Sequence, residues 1–232
     1  MLKVPAYPPC SDDPVMLAPN PPRRVAIVGN APEIGDRADA IDSADIVVRF
    51  NNTHGLGGVT GSRTTYLFLI NCGGQMREWL DDPGFTARKA VRDAEAIYLP
   101  IDPAHLDAFD PPLTREQRAG AEAEDHTAAA VRRLSRAGKR VEILPSREFE
   151  ASCARIGTAM KAGMAPPSTG YLAARYFVET LGRAGCRIEA YGFGFEGFEA
   201  HAWDRERCWF EARARAGELR LVRLAQKVAE AA

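Results

Sequence analysis

The chain has 232 residues, with 30 basic and 31 acidic side chains and a formal net charge of −1. That balance gives no electrostatic reason to expect a nucleic-acid or membrane-surface partner, and no apolar run approaches the roughly 20 residues of a membrane span. The length suits one α/β domain over residues 23–232, preceded by a proline-rich tail or arm over 1–22 that lacks the continuous apolar stretch of a signal peptide.

The elements follow in order. Val25 to Val28 is a short, β-branched apolar run that reads as a buried parallel strand. It stops at Gly29-Asn30, where glycine permits a sharp turn and the amide can project from the strand end. Pro32 to Ser43 reads as a short helical crossover to a second strand, Ile46 to Val48, which runs into Arg49-Phe50-Asn51-Asn52. Ligands of open parallel sheets sit outside the carboxyl ends of the strands. Asn30 and Asn51 are therefore candidates to hydrogen-bond a base, ribose or phosphate.

The loop from His54 to Gly61 carries four glycines, read either as a plain connection or as a close backbone approach to a phosphate. Tyr66 to Ile70 is a third strand, ending at Asn71. Met76 to Arg92 is helical with a break near Asp82-Pro83-Gly84. Ala96 to Pro100 is a strand, and 102–126 is poorly patterned. His126 to Ala137 is a helix stopped by Gly138. Val141 to Leu144 is a strand, and Phe149 to Met160 reads as helical. Pro167-Ser168-Thr169-Gly170 then announces a helix over Tyr171 to Leu181, with Ser168 or Thr169 as cap. Ile188 to Tyr191 is a strand ending in Gly192-Phe193-Gly194, and a last helix is expected over about Asp204 to Ala231. Alternating strands and helices predict a Rossmann-like, mostly parallel sheet with helices on both faces.

Five cysteines (Cys10, Cys72, Cys153, Cys186 and Cys208) lack paired spacing, which fits a reducing, cytoplasmic setting better than a disulfide framework. No close Cys/His cluster suggests a zinc site.

Three segments together resemble the sialylmotifs of glycosyltransferase family 29, the animal-type sialyltransferases. Val25 to Ala31, Asp42 to Asn51 and Gly61 to Thr65 follow the large motif, V-V-G-N-S, D-x-x-D-x-V-x-R-x-N and G-S-R-T-T. Pro167 to Ala173 with Tyr191 to Gly194 follow the small motif, P-S-T-G-x-L-A and Y-G-F. His201-Ala-Trp-Asp-Arg-Glu206 is similar to the very small motif, H-x-x-x-x-E. Residues 72–140 match no motif.

The resemblance implies a soluble, bacterial-like member with a variant GT-A-like fold. The implied reaction is metal-independent, inverting transfer of sialic acid or a related ulosonic acid from a CMP-sugar to a glycan hydroxyl. Surface polysaccharide or lipooligosaccharide precursors are candidate acceptors. It implies donor contacts at Gly29, Asn30, Asn51, Ser168, Thr169, Gly170, Phe193 and Gly194, His201 as general base, and Glu206 in support. The chemistry agrees with that. A helix N-terminus binds anions without a basic side chain, an imidazole is mostly neutral at pH 7, and the chain has no Asp-x-Asp to hold a metal on a diphosphate.

The chain departs from the pattern in three places. Only one histidine motif follows Gly194, and His201-Ala-Trp-Asp204 also reads as the family's H-x-W-D, in which case the base would be missing. Arg24 stands where the family has a cysteine, so the implied disulfide is lost and Cys186 has no counterpart. Pro32-Glu33 replace small residues after the first turn. A non-catalytic nucleotide- or glycan-binding protein on the same fold is the alternative. A dinucleotide enzyme is disfavoured because Ala31 breaks G-x-G-x-x-G.

Overall fold

The computed structural model describes residues 22–107, 114, 124–159, 166–199 and 201–225. Seven strands form one parallel sheet in the order β5-β4-β3-β2-β1-β6-β7. They are β1 (Arg24–Val28), β2 (Ile46–Phe50), β3 (Tyr66–Phe68), β4 (Ala96–Leu99), β5 (Arg140–Ile143), β6 (Arg187–Tyr191) and β7 (Arg220–Leu221). The helices are α1 (Ala38–Asp42), α2 (Gly73–Asp81), α3 (Lys89–Asp93), α4 (Ala104–Asp107), α5 (Thr127–Arg136), α6 (Ser146–Arg155), α7 (Thr169–Phe177) and α8 (Trp203–Arg215).

From β1 the chain steps outward through β2, β3, β4 and β5, then returns to the other side of β1 with β6. The strand order thus reverses between β1 and β6, the position where doubly wound sheets open a crevice at their carboxyl ends. Gly29 follows β1 and Gly192 follows β6 at that point.

Alternation along β1 and β2 divides the core. Val25, Ile27, Ile46, Val48 and Phe50 face α7 and α8, packing with Tyr171, Phe177, Trp209 and Phe210. Ala26, Val28 and Val47 face the other way, onto Ile34 and Ile41. Farther along that second face, Leu67 and Ile97 meet Met76, Trp79, Phe85 and Leu134 from the helices following β3 and β4. Both faces of the sheet are covered, as a parallel sheet requires. Among the described residues no helix is long and apolar enough to cross a membrane.

The last expected element is corrected. The helix begins at Trp203 but ends at Arg215, and the chain then forms the edge strand β7, paired parallel to β6. Gly217, at φ +73°, supplies the left-handed residue that ends a helix, and Leu219 is buried just beyond it. Residues 226–231 of that expectation, the tail 1–21, and the end of the helix expected to reach Met160 lie outside the described residues.

Arg24, at the start of β1, binds Glu189 of β6 at 2.9 Å. Glu189 is almost fully buried and also accepts from Tyr191 Oη at 2.8 Å and Arg220 at 3.1 Å. Burial alone would push its pKa up, but the bonds from Arg24 and Tyr191 outweigh it and hold the carboxyl below its ordinary value. An ion pair therefore joins β1 to β6 where the family resemblance implies a disulfide. Cys72, Cys153, Cys186 and Cys208 are all free.

Candidate functional site

The ends of β1 and β6 touch at Gly29. Its N–H donates to Tyr191 O at 2.7 Å, and a Cβ there would lie 2.1 Å from Gly192 O. Glycine is thus required by backbone packing. Asn30 Nδ2 donates to Phe50 O at 3.2 Å, and its Oδ1 accepts the His54 N–H at 2.9 Å. The amide ties β1 to the end of β2 and the loop beyond. Asn51, at φ +52°, turns the chain out of β2 and accepts the Ile70 N–H on Oδ1 at 3.0 Å. Asn51 Nδ2 has no partner among the described residues. Asn71 is a buried strut, donating to Ile101 O at 2.7 Å and Thr127 Oγ1 at 2.6 Å.

The glycine-rich loop is anchored from below. Arg49 is fully buried and donates to Arg63 O at 2.8 Å and to Thr60 Oγ1 at 3.0 Å. Burial lowers its pKa to about 10, with Asp42 acting in the opposite sense. Asp42 accepts the N–H groups of Ser62 and Arg63, each at 3.0 Å on Oδ1. A Cβ on Gly61 would lie 2.4 Å from the same Oδ1. Asp42, Arg49 and the Gly61–Arg63 turn are thus bonded to one another and hold the loop's shape.

Helix α7 is capped by Ser168, whose Oγ accepts the Tyr171 N–H at 3.2 Å. The same hydroxyl donates to Glu206 Oε2 at 2.6 Å, and Ser168 N–H donates to Glu206 Oε1 at 2.7 Å. The Ser168 hydroxyl thus serves both the cap and the bond to Glu206. The N–H groups of Thr169 and Gly170 have no partner among the described residues. Gly170 admits Phe50 and Phe193, since a Cβ would lie 2.7 Å from Phe50 Cζ and 3.2 Å from Phe193 Cε1. Phe193 packs on Phe210 at 4.5 Å, so it wedges α7 against α8. Gly194 meets no such constraint, because a Cβ there would make only ordinary contacts.

The His201 ring lies against Phe198 and Trp203 at 5.5 and 5.1 Å, and its Nδ1 is 2.9 Å from Pro166 O. A carbonyl only accepts, so Nδ1 carries the proton and Nε2 of the neutral ring holds a lone pair. Burial lowers the His201 pKa, partly opposed by the Pro166 carbonyl. Nε2 has no partner among the described residues. The third motif therefore lies along the second, with His201 on Pro166 and Glu206 on Ser168. At Pro166 the backbone carbonyl is what meets the ring, a role no side-chain motif signals. Glu206 is buried and its carboxyl is pushed up to about 7, against the two bonds from Ser168. Among the described residues no group of three or more His, Cys, Asp or Glu could hold a metal ion.

Comparison with known proteins agrees with this architecture. The chain has a sialyltransferase-like α/β fold. It is similar to the crystal structure of a mammalian sialyltransferase, with a TM-score of 0.53 and 18% identity over 88% of this chain and 70% of that one. It is similar also to a mammalian sialyltransferase in complex with Gal-β-1-3GalNAc-ortho-nitrophenol, at TM-score 0.51 and 19% identity over the same shares. By sequence, it is 28% identical over 202 residues to the urease operon 23 kDa accessory protein of Rhizobium meliloti (strain 1021), covering 85% of this chain and 92% of that protein. No family model matches.

Proposed function

We propose that the protein is a metal-independent, inverting glycosyltransferase that moves sialic acid or a related ulosonic acid from a CMP-sugar to a glycan hydroxyl. The observation that carries this reading is the 2.9 Å contact between His201 Nδ1 and Pro166 O. With Nδ1 donating to Pro166 O at 2.9 Å, the free Nε2 can accept a proton beside the start of α7. The acceptor hydroxyl gives its proton to Nε2 as its oxygen bonds the anomeric carbon, and the bond to CMP breaks with the electron pair leaving on the phosphate. The open N–H groups of Thr169 and Gly170 and the helix dipole favour an anionic group of the donor at that end. Asn51 Nδ2 and the turn at Gly29-Asn30 form the nucleotide end of the crevice, with Asn30 acting by holding that turn. Positive charge builds on the sugar ring in such a displacement, so orientation and anion binding do most of the catalysis.

The test is transfer from CMP-sialic acid to glycan acceptors that include Gal-β-1-3GalNAc glycosides, with His201→Ala as control. Turnover by the wild type that the variant lacks supports the reading. Equal turnover by both removes His201 as base.

A second reading is favoured by the curated relative, which matches nearly end to end. In it the chain is a non-catalytic binding protein that serves a urease operon. That reading predicts binding of CMP or a glycan without turnover, and a loss of urease activity when the gene is deleted from a host that carries such an operon.

A further inference from the structure

A cavity of about 430 Å³ lies where α6, α7 and α8 finish, away from His201. That volume is in the range that holds small organic ligands. Arg155 closes α6, Val178–Gly182 continues α7 as a π-helical turn, and Arg213 sits in the last turn of α8. Such π-helical turns are rare and recur at functional sites.

The lining carries three arginines and two glutamates, and each glutamate faces an arginine. Glu179 places Oε2 on Arg175 at 2.8 Å and Oε1 on Arg155 at 3.7 Å. Glu218 faces Arg213 Nη1 at 3.1 Å. Arg183 makes no ion pair with any described residue. Arg213 Nε is buried with no hydrogen-bond partner. Buried donors are nearly always paired, so the orphan Arg213 N–H beside this cavity points to an acceptor that a ligand brings. Arginines at helix ends also offset the carbonyl end of the dipole. That explains why they are there, but neither the volume between them nor the unpaired Nε.

We propose that this cavity binds a small organic carboxylate, with Arg183 and Arg213 as its anion-binding groups and Trp209 and Val178 against its carbon body. The planar guanidinium fork matches the two oxygens of a carboxylate. Inorganic phosphate has no carbon body to set against Trp209 and Val178, so it is expected to bind more weakly than an organic carboxylate. The site uses none of the residues assigned to transfer, so it stands or falls independently of that assignment.

Cys186 lines the cavity and reports its occupancy, whereas Cys208 is exposed on α8 and serves as an internal reference. The full chain is alkylated with iodoacetamide, with and without citrate, and each cysteine is followed by peptide mass spectrometry. Citrate at about 10 mM, well above a millimolar dissociation constant, is expected to slow Cys186 alkylation ~10-fold and leave Cys208 unchanged. Arg183→Glu and Arg213→Gln, each first shown to melt as the wild type does, are expected to lose the protection. No protection in the wild type, or protection that persists in both variants, overturns the site. Equal protection by inorganic phosphate overturns its assignment to a carboxylate.

Discussion

Ser168 and Glu206 are joined by two hydrogen bonds, N–H to Oε1 at 2.7 Å and Oγ–H to Oε2 at 2.6 Å, across 38 residues of sequence. The pair fixes the start of α7 to the first turns of α8, and so fixes His201 relative to the open N–H groups of α7. Glu206→Ala would leave two buried donors unpaired. We expect it to destabilise the fold by ~2–4 kcal/mol, measured by urea denaturation. Glu206→Gln keeps one acceptor and should cost less. A Glu206→Ala variant within about 0.5 kcal/mol of the wild type contradicts this role.

The same carboxyl gives stability a pH signature. Its folded pKa, about 7, lies above its ordinary value of 4.5 because of burial. Below pH 4.5 both folded and unfolded states hold the proton. Between the two values only the folded state does, so stability falls as pH rises through this window and is flat above it. The size is on the order of 3 kcal/mol, the bonds from Ser168 already being included in the value of about 7. His201 acts in the opposite sense. Its lowered pKa contributes stability present above 6.5 that is lost as pH falls through its folded value. The wild-type curve minus that of Glu206→Gln isolates the carboxyl, and a difference that does not change between pH 4.5 and 7 contradicts its assignment.

Gly170→Ala places a Cβ 2.7 Å from the Phe50 ring. The expected cost is ~1–3 kcal/mol from overpacking, read as a lower Tm. Phe50→Leu should recover part of that loss when combined with it. An uncoupled, additive double mutant would show that the two residues do not meet.

His201→Ala should reduce transfer by ~10²–10⁴-fold, the usual worth of a general base, and leave CMP binding largely intact. Because burial lowers the His201 pKa, the acidic limb of the rate profile should fall below 6.5. A limb above that value contradicts the tautomer and burial argued for this ring.

The core strands were legible because short β-branched apolar runs such as Val25–Val28, bounded by turn residues, favour buried strands, and α7 because P-S-T-G is a cap signal that the structure uses as such. The last helix was overextended, because Arg and Ala continue past Gly217 with helical spacing, and only pairing with β6 makes 220–221 a strand. Site roles were harder to read. A motif shows which side chains matter without saying what they touch. Ser168 and Asn30 each bond other parts of the protein, Gly29 and Gly170 answer to neighbouring backbone and rings, and Asp42 and Arg49 build the loop. Glu189, the partner that lets Arg24 stand where the family has a cysteine, carries no local signal because the pairing joins positions 165 residues apart.

The most direct test is calorimetric titration of the wild-type chain with CMP, beside UMP, GMP and NAD, without added metal. The account predicts selective CMP binding that Asn30→Ala weakens by releasing the β1–β2 turn, while His201→Ala leaves it near the wild-type value. A folded protein that does not bind CMP, or binds all four alike, contradicts the account and leaves the sialyltransferase-like fold as a scaffold for a different ligand.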